Sequence, residues 1–272
     1  MKKIIAATDF SVSGTNAVKY AAQLADFLKA DLVLFHAFQL QVTYNEASVV
    51  EDPLLIQQTI EKEMAQLKDS LTGETSGRIH IDFEVHQGLF FEELKGLCER
   101  AKPYTVVMGS QGTTATDRFF FGGHTIHAMK NLSWPLITVP EGTKFKPFRR
   151  IGLACDFDHV TDTIPADELG VLVRDFEAKL FVLNTAKKKE FKPEMIYESG
   201  LVQEMLMGLN PIYHFITSTE VDQGIMEFSE KNEIDLLIVL PKHHSIPEKL
   251  MHKSHTKQFV LYSPIPVMAL HQ

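Results

Sequence analysis

Short apolar runs alternate along this chain with stretches in which apolar positions recur every three or four residues, so strands and helices are predicted in turn. Ile4 to Thr8 reads as a first buried strand. Asp9, Ser11 and Ser13 crowd the turn after it, where they can cap a helix from Gly14 to Leu28. That helix carries Ala17, Tyr20, Ala21, Leu24 and Leu28 at spacings of three and four, with a small-residue face suited to packing on a sheet. Leu32 to Phe38 is a second strand, the polar stretch through Asp52 a long loop, and Pro53 to Leu71 a second helix. Alternation at Ile79, Ile81, Phe83 and Val85 marks a third strand, followed by a helix from Leu89 to Arg100. The stretch from Thr105 to Pro140 supplies a fourth strand (Thr105 to Met108), a glycine-punctuated loop, a helix opening near Gly122 and Gly123, and a fifth strand (Leu136 to Val139). This order predicts an α/β fold with parallel pairing.

Glu141 to Phe148 interrupts the periodicity with Gly142, Pro147 and several lysines, and reads as a linker. Beyond it the pattern restarts. RRIGLACDFD repeats KKIIAATDFS in its order of charge, strand and Asp-Phe turn, so that Asp156 and Phe157 answer to Asp9 and Phe10 at an offset of 147. Farther on, Ile238 and Val239 answer to Val107 and Met108, and Pro266 to Pro135, at an offset of 131 that holds without a gap from Thr105 to Val139. The chain therefore reads as a tandem repeat, with domains over 1–141 and 149–272. The difference between the two offsets, 16 residues, is lost from the second copy around its second helix. A unit this long is a domain and not a solenoid repeat.

Composition narrows the class without changing the picture. At 272 residues, 44% hydrophobic and 23% charged, the chain can form two cores of ordinary size. A formal net charge of −8 and a pI near 5.8 argue against a nucleic-acid-binding surface, and Lys187, Lys188 and Lys189 read as a solvated loop. Two cysteines, Cys98 and Cys155, fall in apolar segments and read as small buried residues, which suits a reducing compartment. The apolar run in MKKIIAATDF is too short for a signal peptide, and no run of about 18 apolar residues exists, so a cytoplasmic protein with no membrane partner is expected.

Candidate chemistry concentrates after the fourth strand. Gly109 and Gly112 are followed, after nine residues, by Gly122, Gly123, His124 and Thr125. Gly109 lets the chain leave the sheet without a Cβ clash, Gly112 can supply a positive φ, and Gly122 and Gly123 open a helix whose first-turn N–H groups lack intrahelical partners. Such amides carry partial positive charge and suit phosphate. The plainer alternative is a tight loop that needs four glycines. Neither a GxxxxGK[ST] loop nor a GxGxxG after the first strand is present.

The pattern G-x2-G-x9-G, at the end of the fourth strand of a unit that opens with a strand and an Asp-x-Ser turn, resembles the universal stress protein family, and the resemblance extends to both halves. It implies two tandem open parallel five-stranded sheets of the adenine nucleotide alpha hydrolase-like type, each in strand order 3-2-1-4-5. It also implies a nucleotide across the carboxyl ends of strands one and four, where the rule for open α/β sheets places a ligand. Carried over by residue, it puts Asp9 and Ala7 at a ribose and Ala37 at an adenine through its backbone. Met108, Gly109, Gln111, Gly112, Gly122, Gly123 and His124 would line the phosphate channel. ATP is the implied cofactor, with Mg²⁺ accompanying the triphosphate. Family members that bind ATP place Ser or Thr directly after the third motif glycine, where this chain has Gly123.

The second copy departs further, with Leu240, His243 and Lys253 in place of Gly109, Gly112 and Gly122, although Ser254 supplies the hydroxyl that Gly123 lacks. It reads as structural. His243, His244, His252 and His255 lack cysteine or carboxylate company beyond Glu248, so no metal site is expected. Nor does a nucleophile elbow or Ser-His-Asp order appear. The function expected is a stress-response protein whose first domain binds ATP as a nucleotide-dependent sensor or regulator. The alternatives are a nucleotide-free interaction module, whose fifth strands (Leu136 to Val139 and Pro266 to Leu270) pair between halves or chains, and a slow ATPase.

Overall fold

The computed structural model describes residues 1–40, 52–110, 117–157, 159–185, 193–218, 220–241 and 255–271. In the first half the elements are β1 (Lys3–Ala7), α1 (Val12–Leu28), β2 (Asp31–Phe38), α2 (Pro53–Glu74), β3 (Ile81–Gln87), α3 (Phe90–Ala101), β4 (Thr105–Gly109), α4 (Asp117–Asn131) and β5 (Leu136–Val139). In the second they are β6 (Arg150–Ala154), α5 (Ala166–Phe176), β7 (Lys179–Thr185), α6 (Pro193–Leu206), β8 (Ile212–Ile216), α7 (Val221–Lys231), β9 (Leu236–Val239), α8 (His255–Tyr262) and β10 (Val267–Ala269). The first-half strand order is β3-β2-β1-β4-β5 and the second-half order β8-β7-β6-β9-β10, the same 3-2-1-4-5 arrangement twice.

The two units are not separate sheets. β5 and β10 pair antiparallel, Ile137 opposite Met268, and join the halves into one ten-stranded sheet. Every other pairing is parallel. Strands such as β5 (LITV) and β9 (LLIV) are buried on both faces, as parallel strands covered by helices require. Ile4, Ala6, Leu32, Leu34, Ile151 and Leu153 face a core under α1, α2, α5 and α6, while Ile5, Ala7, Val33, Val106, Leu237 and Ala269 face one under α3, α4, α7 and α8. Each core runs through both halves.

The segment predicted as a linker is an apolar joint. Phe148 is 1% exposed and packs on Phe176 with ring centroids 4.4 Å apart; Phe145 meets Tyr20 edge-on at 5.3 Å, and Phe27 stacks on Phe176 at 5.1 Å. Polar contacts close the same seam. Asp235, almost fully buried, accepts from the Arg149 and Arg150 amides at 2.7 and 2.9 Å and from Lys146 at 2.7 Å, and Asp175 takes Lys2 at 2.6 Å and the Tyr104 hydroxyl at 2.9 Å.

One boundary differs in a way that matters. α4 starts at Asp117, one turn before Gly122 and Gly123, and does not open at these glycines. Glycine tolerates helical angles as readily as others, so a glycine pair does not by itself start a helix. With Asp117 first, the Gly122 and Gly123 amides lie past the unpartnered first turn and fall within reach of the carbonyls four residues earlier.

Candidate functional site

The site grows from the turn between β1 and α1. Ser11 is the α1 N-cap, its Oγ accepting from the Gly14 amide at 3.0 Å, and it is held in turn by Asp9, whose Oδ1 accepts from the Ser11 amide at 3.1 Å and the Ser11 hydroxyl at 2.6 Å. Phe10 between them adopts a left-handed φ of 62°, matched by φ 53° at Phe157, so the repeated Asp-Phe turn is one backbone device used twice. A Cβ on Gly14 would strike Asp9 Oδ1, so α1 can seat this close only with glycine there.

Strand order reverses between β1 and β4, and a solvent-open cleft lies at their carboxyl ends. Ala7, Asp9, Ala37, Met108, Gly109 and His124 line it. Gly123 is exposed beside His124 on α4, Gly122 precedes it in the same helix, and Gln111 and Gly112 fall outside the described residues. Thr8, Ser11, Gly14, His36, Phe90 and Thr125 complete the lining, and none of them was assigned to the nucleotide site from the sequence. Ser11 had a signal in its capping position. Phe90 had none, because it arrives from α3 across the sheet.

Gly109 is required for a reason other than chain reversal. A Cβ there would lie 2.5 Å from Ser13 Oγ and 3.0 Å from the Ser13 backbone, so its constraint is the close approach of α1 to β4. Gly123 is the opposite case, with nothing within 4 Å of a Cβ. Thr125 donates to the Gly109 carbonyl at 3.1 Å and ties α4 to the end of β4.

Two histidines border the cleft. His36 Nδ1 lies 2.8 Å from the Thr8 carbonyl and its ring 5.0 Å from that of Phe10; burial lowers its proton affinity, while the Thr8 carbonyl, Asp9 and Glu63 act in the opposite sense. His124 packs on Phe90 at 5.2 Å, and burial together with neighbouring His127 lowers its affinity as well. Both are therefore biased toward neutral imidazole at neutral pH. Cys98 is inert by the same physics, its thiol pushed up to about 12 mainly by burial.

Among the described residues, the second half is built differently at the matching place. Where the repeat would start a helix after Phe157, a single 3-10 turn (Val160–Asp162) intervenes and α5 begins only at Ala166. Val160 and Ile164 are buried there, with the Val160 amide donating to Glu198 at 2.9 Å. α1 lies along β4, whereas α5 makes no comparable contact with β9, which frees the space that lets Leu240 replace Gly109. His243, His244, His252, Lys253 and Ser254 lie outside the described residues, and His255 pairs with Asp222 at 2.5 Å. Among the described residues no group of three or more His, Cys, Asp or Glu is placed to hold a metal ion.

The fold is an adenine nucleotide alpha hydrolase-like open α/β sheet with a crevice at its topological switch point. The chain belongs to the universal stress protein family, whose model matches residues 1–140. Across its whole length it is similar to a universal stress protein from Archaeoglobus fulgidus DSM 4304, with 14% identity, 99% of this chain and 98% of that one covered, and a TM-score of 0.71. It is also similar to a functionally unknown protein from Pseudomonas aeruginosa PAO1 (8% identity, 100% and 92% covered, TM-score 0.58). The universal stress protein UspA from Lactobacillus plantarum matches over half the chain (17% identity, 50% and 96% covered, TM-score 0.42). No curated protein matches. Among the described residues, no helix is long and apolar enough to cross a membrane.

Proposed function

We propose that the first half, residues 1–141, binds an adenine nucleotide in the cleft between the ends of β1 and β4, and that the protein acts in the cytoplasm as a nucleotide-dependent regulator of a stress response. The observation that carries this is the convergence of Asp9, Ala37, Met108 and Gly109, from three separate segments, on one cleft at the strand-order reversal. Asp9 Oδ1 is occupied by two Ser11 donors, which leaves Oδ2 to accept from a ribose hydroxyl. The backbone of Ala37, which lines the cleft, would meet the base.

The phosphates would run toward α4. For the Gly122 and Gly123 amides to meet them, α4 must open over its first turn, and two adjacent glycines make that end weak, each costing about 1 kcal/mol against alanine in a helix interior. Asp9 is the acidic residue of the lining. Mg²⁺ is therefore expected to arrive on the triphosphate oxygens and not in a protein-built cage. The second half, 149–272, is proposed as structural: its strand end carries Leu240, and Val160 and Ile164 are core where α1 would have its first turns.

Calorimetry with ATP, ADP and AMP, preceded by mass spectrometry of co-purifying small molecules, tests the proposal. Binding of ATP is expected, and Gly123→Ser, whose side chain has room, is expected to tighten it by restoring a hydroxyl. Absence of both co-purified nucleotide and measurable binding would overturn the proposal in favour of an interaction module. That alternative has one supporting observation, the β5–β10 pairing, although this pairing is internal and leaves neither strand as a free edge.

A further inference from the structure

Asp9 and His36 both line the cleft, and each brings a hydrogen-bond acceptor to it. The repeat isolates the second of them. His36 and Asn184 occupy the same place in the two halves, one residue past Phe35 and Leu183, the last residues in register with β1 and β6, and they make the same bond: His36 Nδ1 to the Thr8 carbonyl at 2.8 Å and Asn184 Nδ2 to the Cys155 carbonyl at 2.9 Å. The shared role is a latch that ties the end of the second strand to the turn after the first. An amide performs it as well as an imidazole does, so the latch alone does not require histidine.

The latch also fixes the tautomer. A carbonyl only accepts, so Nδ1 carries the proton, and in the neutral ring Nε2 is left as an acceptor. Phe10 at 5.0 Å, itself locked in a left-handed turn by the Thr8 hydroxyl (3.0 Å to its amide), restrains the ring plane beside the cleft. Asp9, the other acceptor, has one oxygen saturated by Ser11. We infer that His36 is a specificity-determining residue of this cleft: Asp9 Oδ2 accepts the 3′-hydroxyl of a ribose and His36 Nε2 the 2′-hydroxyl, so the site selects ribonucleotides over 2′-deoxyribonucleotides. The inference rests on the proposed nucleotide binding and adds the sugar class to it.

The two ring nitrogens separate by substitution. His36→Asn keeps a donor at the Nδ1 position, as Asn184 does, and removes the acceptor at Nε2; His36→Gln places an amide near Nε2 and gives up the latch. The affinities of the purified full chain for ATP and 2′-deoxy-ATP are measured by calorimetry, with melting temperature alongside. Wild type is expected to prefer ATP about tenfold, which is about 1.4 kcal/mol and within the range of one neutral hydrogen bond. His36→Asn is expected to melt as wild type does and to bind the two nucleotides within about twofold of each other. His36→Gln is expected to melt lower and to retain the preference. A folded His36→Asn protein with the full preference overturns the inference and leaves nucleotide binding standing. Wild type that binds ATP and 2′-deoxy-ATP equally does the same, and wild type that binds neither overturns both.

Discussion

Two glycines of one motif should respond to the same substitution with opposite signs. At Gly109 an alanine Cβ would stand 2.5 Å from Ser13 Oγ and 3.0 Å from the Ser13 carbonyl carbon and oxygen, where unstrained contacts begin near 3.4 Å. Ser13 is fully buried and its hydroxyl has no hydrogen-bond partner among the described residues, so the side chain has no solvent to turn into. The backbone contacts cannot be relieved by a rotamer at all. α1 must retreat from β4, and overpacking of this kind costs about 1–3 kcal/mol. For a chain of this size each kcal/mol lowers the melting temperature by roughly 2–4 °C. At Gly123 a Cβ meets nothing within 4 Å, and the position lies inside α4, so Gly123→Ala removes a helix penalty and is expected to stabilise by about 0.5–1 kcal/mol. Urea unfolding of both variants by circular dichroism reads the two signs. Gly109→Ala as stable as wild type would refute the close approach of α1 to β4, and Gly123→Ala less stable than wild type would refute its place in an open helix interior. Adding Ser13→Ala to Gly109→Ala should recover only part of the loss, because the backbone contacts remain.

Phe148→Ala removes a fully buried ring from the aromatic joint and is expected to cost about 3–5 kcal/mol, lowering the unfolding midpoint of the whole chain; loss of signal from one half alone would show that the joint does not couple them. Arg78 holds the Asp26 carboxyl at about 2, below the ordinary 3.8. Because the folded-state value is the lower one, this pair's contribution is present above the ordinary value and lost as pH falls toward about 2. Asp26→Asn should therefore narrow its stability gap to wild type across that window, and a gap independent of pH would contradict the assignment.

How much of this was legible depends on the range of the interaction responsible. The strand and helix order, the tandem repeat and the Ser11 cap rest on period, spacing and local hydrogen bonding, all of which act within a few residues of chain. The β1 and β4 ends were placed by the same means; that Ala7, Asp9, Met108 and Gly109 belong to one site was implied by the family resemblance, and all four line one cleft. The α4 start was misplaced because glycine permits a helix start without imposing one, and the choice of Asp117 is made elsewhere in the helix. His36, Phe90 and Gly14 were missed as lining because their position depends on how α1 and α3 seat against the sheet.

The sequence by itself determined that this chain holds two copies of a parallel α/β unit and that one copy kept the glycines after its fourth strand. Tertiary structure decided the rest. β5 and β10 pair with each other, so two sheets become one, and Phe145 and Phe148 turn a polar-looking linker into core. It also decided that Gly109 answers to Ser13 and not to a turn. Each of these depends on surfaces meeting across a hundred residues or more or across the sheet, where periodicity carries no information about which faces touch.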